Sequence, residues 1–128
     1  MNHVRALLAI PMIAGLALAT PAVAHPRLVA STPSATSIVR APTRITLTFS
    51  EKLMAQLSGI DLTMTGMPGM ANHAPMKVTG LQISVSNGGK TLMAALPHPL
   101  SSGTYEVRWH AVSADTHRIE GQVAFTVT

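Results

Sequence analysis

The chain of 128 residues contains no cysteine. No disulfide framework can therefore hold the domain together, although a secreted protein of this size often uses one. The absence also removes thiolates from the set of metal ligands. Any site for a soft metal must be built from thioethers and imidazoles, and the chain has eight methionines and six histidines to supply them.

Aromatic residues and charge are also scarce. The chain has one Trp, one Tyr and two Phe, so it offers few platforms on which nucleobases or sugars could stack. Nine Lys and Arg residues stand against five Asp and Glu, and the basic residues are scattered along the chain rather than clustered. Without a basic patch interleaved with aromatic residues, we expect no nucleic-acid partner.

The N-terminal segment has the pattern of a secretory signal peptide. Arg5 precedes an apolar run over residues 6–19, and an A-x-A arrangement of small residues ends at Ala24. The apolar run is too short to span a bilayer comfortably, so the pattern favours a cleaved signal over a membrane anchor. We predict a signal peptide over residues 1–24 and a single mature domain over residues 25–128.

The mature segment is typical of short strands separated by turns. Apolar and polar residues alternate over 45–50, 105–110 and 123–127, as expected of strands with one buried face. Further candidate strands are 28–31, 59–64, 76–79, 81–86 and 91–96. The tightest turn signal is Asn87-Gly-Gly89, and only residues 51–56 could form a helical turn. We predict an all-β fold, a Greek-key β-sandwich of about seven antiparallel strands.

The most unusual stretch is MTGMPGMANHAPM, which covers residues 64–76. Methionine or histidine recurs at every third position, namely Met64, Met67, Met70, His73 and Met76. Two prolines and two glycines argue against a helix, so we predict an irregular loop between strands. Thioethers select Cu(I) over hard cations, and the loop is predicted to bind a soft metal. An adaptable methionine-rich surface for a protein partner is the alternative.

A second set of candidate ligands begins at His25, which becomes the N-terminal residue if the signal is cut after Ala24. Its free amine and imidazole can then chelate one metal ion, and Pro26 has no amide hydrogen through which the chelate could extend. Asp115 and His117 add a carboxylate and an imidazole two residues apart, which on an extended segment point to the same side. Such a nitrogen and carboxylate set suits Cu(II), although an Asp-x-His pair alone also fits an ordinary surface.

Four stretches spread over essentially the whole mature chain carry a resemblance to a known family. They are HPRLVASTP at 25–33, FSE at 49–51, the methionine loop, and the ending from GTY at 103–105 through SADTH at 113–117 to Gly121. Together they resemble the CopC/PcoC family of periplasmic copper-resistance proteins. The resemblance implies an immunoglobulin-like, cupredoxin-like β-sandwich located in the periplasm.

The resemblance also implies two copper sites. One is a Cu(I) site in the loop, from Met64, Met67, Met70, His73 and Met76. The other is a Cu(II) site from His25, Asp115 and His117, with Glu51 matching a family acid that is either a fourth ligand or adjacent to the ligands. Many members lack the methionine loop, so its presence here indicates the type with two sites.

The function implied is that of a copper carrier rather than an enzyme, with no catalytic residues. Its partners would be copper ions and a CopD-type membrane protein or a multicopper oxidase. A copper-dependent oxygenase is the main alternative, since an amine and imidazole clamp also occurs in such enzymes. A metal-free adhesion domain would explain the strands but not the concentration of ligands. His98, between two prolines, and His110, on the polar side of a strand, are assigned to neither site.

Overall fold

The computed structural model describes residues 25–70 and 74–128, together with Pro11 and Gly15. Apart from those two positions, the predicted signal peptide lies outside the described residues. Within them, nine strands form two sheets. In chain order the strands are β1 (Leu28–Thr32), β2 (Ile38–Val39), β3 (Arg44–Phe49), β4 (Gly59–Gly66), β5 (Met76–Val78), β6 (Gln82–Ser86), β7 (Thr91–Ala95), β8 (Gly103–Val112) and β9 (Arg118–Val127). No helix in this part of the chain is both long and apolar enough to cross a membrane.

The two sheets pack face to face as a sandwich, and the chain passes from one sheet to the other several times. One sheet has the order β1-β3-β7-β6 and the other β2-β9-β8-β4-β5. The predicted all-β sandwich is confirmed. A short 3-10 helix at Ala55–Leu57 begins within the predicted helical turn over residues 51–56 and ends one residue beyond it, and a second 3-10 helix, at Asn87–Gly89, forms where a tight turn was predicted. The prediction missed β2, whose two residues are too few to show an alternating pattern. This strand also runs parallel to β9, whereas the other pairings are antiparallel.

The core contains all four aromatic side chains of the chain. Phe49 of β3 meets Trp109 of β8 edge to face, with ring centroids 5.0 Å apart. Tyr105 and Phe125 are cross-strand partners in β8 and β9 and stack at 5.6 Å. Phe49 is the last residue of β3. Its packing therefore fixes the position of the segment that follows, which begins with Ser50 and Glu51.

The indole of Trp109 also depends on a glycine in the neighbouring strand. Trp109 lies opposite Gly121, and a Cβ at that position would overlap the six-membered ring of the indole. We therefore expect Gly121→Ala to lower the free energy of unfolding by about 1–3 kcal/mol, the usual effect of overpacking. Urea denaturation measures it, with exposed Gln122→Ala as the control, expected within about 0.5 kcal/mol of wild type. Equal stability of the two variants would contradict this account of the packing.

Candidate metal centre

The segment before β1 is anchored to the end of β3. The backbone N–H of Arg27 donates to Ser50 Oγ at 3.1 Å, and the N–H of Ser50 donates to the Arg27 carbonyl at 3.0 Å. Pro26 is fully buried. These contacts hold His25 at one end of the sandwich, and they bring Glu51, the residue after Ser50, to the same end.

The connection between β8 and β9, residues 113–117, approaches His25 from the other sheet. Within it the N–H of Thr116 donates to the carbonyl of Ser113 at 2.9 Å, and Thr116 has a φ of +66°. Asp115 and His117 therefore lie in a turn and not on an extended segment. The two side chains meet because a turn with one left-handed residue folds the chain back on itself.

Three of the predicted ligands come together at this end of the sandwich. His25, Asp115 and His117 each offer a ligand atom, and these atoms all lie within 4.8 Å of one another. Asp115 Oδ2 is 3.1 Å from His117 Nδ1 and 3.6 Å from His25 Nδ1. The imidazole side chains are 59% and 65% exposed, whereas the Asp115 side chain is 17% exposed. Two accessible imidazoles thus flank one largely buried carboxylate.

Hydrogen bonds fix the orientation and charge of that carboxylate. The Ser113 hydroxyl and the backbone N–H of His117 both donate to Asp115 Oδ1, the latter at 3.2 Å. The hydrogen bond from Ser113 lowers the pKa of the Asp115 carboxyl below its ordinary value; the interactions with His117 act in the same direction, against partial burial. Asp115 is therefore ionised at neutral pH. Sequence reasoning missed Ser113, although a serine two residues before an aspartate in a turn is a recognisable signal.

Glu51 does not join the cluster. It is half-buried and lies at the same end of the sandwich, but the residues whose ligand atoms come together are the two histidines and Asp115.

The described part of the methionine loop, residues 64–70 and 74–76, is more regular than the irregular loop predicted. Met64 and Met76 are direct partners in the pairing of β4 with β5. Further out, Met67 and Met70 exchange two backbone hydrogen bonds, of 3.1 and 2.9 Å, around Pro68-Gly69. Gly69 has a φ of +76°, as the third residue of a type II turn requires, and proline favours the position before it.

The four methionines differ in their access to solvent. Met64 is 8% exposed and belongs to the core, whereas Met67, Met70 and Met76 are 39%, 55% and 55% exposed. Cross-strand partners share a face, so Met76 lies on the inner side of the sheet with Met64, at its edge. His73, the imidazole predicted for this site, lies outside the described residues.

The two sets of candidate ligands lie at opposite ends of the sandwich. The end of β4, the Met67–Met70 turn and β5 form a methionine hairpin. This hairpin extends from the end of β4, which pairs with the start of β8, whereas Asp115 and His117 follow the end of β8. Because β8 has ten residues, its two ends are about 30 Å apart at about 3.3 Å per residue. The two sets therefore cannot share one metal ion.

Comparison with known proteins decides the family. The protein-family model of the CopC domain matches residues 28–128 of this chain. The chain belongs to the CopC family. Two relatives are both named copper resistance protein C. The one from Pseudomonas syringae pv. tomato is 50% identical over 116 residues, 89% of each chain. The one from Escherichia coli is 45% identical over 123 residues, 96% of this chain and 95% of the relative.

A solved structure shows the same architecture for the CopC domain. The crystal structure of PcoC, described as a methionine-rich copper resistance protein from Escherichia coli, matches with a TM-score of 0.74 at 46% identity. The match covers 82% of this chain and 100% of the PcoC chain. The resemblance inferred from the sequence motifs and the sandwich fold it implied are both confirmed.

Proposed function

We propose that this CopC-family chain is a periplasmic copper carrier that acts in copper resistance and holds two copper ions of different oxidation state. Cu(II) binds to His25, Asp115 and His117, with Glu51 nearby as a fourth ligand or a supporting acid. Cu(I) binds in the methionine loop, to ligands drawn from Met64, Met67, Met70, His73 and Met76. Copper then passes by ligand exchange to a partner such as a CopD-type membrane protein or a multicopper oxidase. The observation that carries the proposal is the cluster of two histidines and one aspartate.

The chemistry of that cluster suits Cu(II). Imidazole nitrogens and a carboxylate are the donors this ion prefers, and the ionised Asp115 supplies negative charge beside it. Cleavage after Ala24 would add the amine of His25 as a further nitrogen donor. The exposed imidazoles leave the ion open to an incoming ligand, as transfer to a partner requires. The CopC match covers the predicted mature domain except for its first three residues.

Support for Cu(I) comes from the loop and from the relatives. Neutral thioethers are soft ligands, and three of the four loop methionines are exposed to an incoming ion. The relatives named for copper resistance support copper as the metal carried. One of the matching structures is itself described as methionine-rich.

Metal titration of correctly processed protein tests the proposal. We expect one equivalent of Cu(I), followed by competition with a chromophoric chelator, and one of Cu(II), followed by electron paramagnetic resonance. Neither ion should change the affinity for the other, because the two ends of β8 are about 30 Å apart. A single shared equivalent would contradict two separate sites. Sustained, substrate-dependent oxygen consumption by the copper-loaded protein with a reductant would favour the oxygenase alternative instead.

A further inference from the structure

His98 lies in the connection between β7 and β8, which crosses from one sheet to the other at the end that carries the methionine hairpin. Backbone hydrogen bonds anchor this connection on both sides of the histidine. The N–H of Leu96 donates to the Thr43 carbonyl at 2.9 Å, and that of Leu100 donates to the Pro42 carbonyl at 3.2 Å. His98 itself is exposed. Its backbone is therefore held in place while its imidazole stays accessible.

The anchored connection places His98 beside two of the loop methionines. His98, Met64 and Met76 line one pocket of about 180 Å³ at the edge of the sheet that contains β4, β5 and β8. Since Met64 and Met76 are cross-strand partners on one face, their thioethers belong to one wall of this pocket. His98 belongs to a different wall, formed by the β7–β8 connection. The volume exceeds the roughly 30 Å³ of a water molecule several times, so a metal ion can enter.

Other polar groups around the pocket already have partners. The Tyr105 hydroxyl donates to the Ser101 carbonyl at 2.8 Å, and the Ser101 hydroxyl lies 3.3 Å from Tyr105 Oη. Lys77 Nζ lies 3.3 Å from Asp61 Oδ1, so an acidic side chain offsets the one cationic side chain in the lining. The remaining lining residues are apolar, namely Val78, Pro99 and Leu100. The donors left for a metal are soft or borderline, two thioethers and one imidazole.

We propose that His98 is a ligand for Cu(I) and shares the ion with Met64 and Met76 in this pocket. The inference rests on the proposed function, because it assumes that the loop methionines bind Cu(I). It adds an imidazole from outside the loop, supplied by a rigid connection between the sheets. Met67 lines a different cavity, with Pro68 and Thr128 among its neighbours. The ion in the His98 pocket therefore lies beside Met64 and Met76, apart from the cavity that Met67 lines.

The variant His98→Asn tests this assignment, with His110→Asn as the matched control. His110 lies toward the other end of β8, where its ring packs over Gly59. We expect His98→Asn to weaken Cu(I) binding by about tenfold or more, the range typical of disturbing a metal site, and to leave Cu(II) binding unchanged. The control should retain both affinities. Circular dichroism checks that each variant is folded.

Nuclear magnetic resonance of the wild-type protein gives a second readout that needs no variant. Cu(I) is diamagnetic, so the ring nitrogens of His98 and the methyl groups of Met64 and Met76 should shift together as the ion is added. If the wild-type protein does not bind Cu(I), the Cu(I) part of the proposed function fails, and this inference with it. If Cu(I) binds while the His98 nitrogens do not shift and His98→Asn binds as tightly, His98 is no ligand and the proposed function stands.

Discussion

A protein that retains one extra residue ahead of His25 should bind Cu(II) far more weakly than the processed chain. The proposed clamp uses the free amine of His25, and an added residue turns that nitrogen into an amide, a poor donor. His25, Asp115 and His117 keep their side chains, but one ligand is lost and the geometry changes. We expect the affinity to fall by more than the ~10–100-fold typical of altering groups that only support a metal site. Competition titration measures the loss, and a changed copper resonance spectrum should accompany it.

The next backbone nitrogen cannot rescue the extended protein. It belongs to Pro26, which has no amide hydrogen and is fully buried. Cu(I) binding is the internal control, because the methionine hairpin lies at the other end of the sandwich. Circular dichroism should show an intact fold. Equal Cu(II) affinity and an identical spectrum for extended and processed protein would show that the amine is not a ligand.

Much of the fold could be predicted because its longer strands have one buried face. Over β3 and residues 105–110 of β8 the apolar positions alternate with polar ones, and in the structure the same positions are buried. β2 could not be found in this way, because Ile38–Val39 has only two residues and pairs with the distant β9. Local periodicity carries no information about such a pairing.

The candidate ligands show a second limit of prediction from the sequence. Asp115 and His117 come together through a turn that the sequence does not signal, since the residue with positive φ is Thr116 rather than glycine or asparagine. His98, between two prolines, carries no sequence signal that assigns it to either site. Its place beside Met64 and Met76 depends on backbone hydrogen bonds to Pro42 and Thr43, more than fifty residues earlier in the chain. Motifs therefore identify ligands that are close together in sequence, whereas a donor from another connection requires the tertiary structure.

Replacing all four loop methionines by leucine should abolish the high-affinity Cu(I) site and leave the fold intact. Leucine keeps the apolar character and approximate volume but has no sulfur, and such exchanges usually cost less than about 1.5 kcal/mol each. Only Met64 is buried, so it alone should contribute appreciably to any loss of stability. Cu(II) affinity should not change. Chelator competition measures the loss of Cu(I) binding, and urea denaturation measures the stability.

A control variant and single substitutions show which methionines bind the ion. Met54 and Met93 lie outside the loop, so the double change Met54→Leu and Met93→Leu should keep full Cu(I) affinity. Among single changes, Met76→Leu should weaken binding more than Met67→Leu if the pocket beside His98 holds the ion, because Met76 lines that pocket and Met67 lines another. Unaltered Cu(I) affinity in the quadruple variant would mean that the methionines are not ligands. Their exposure at the turn would then favour the alternative, an adaptable apolar surface for a protein partner.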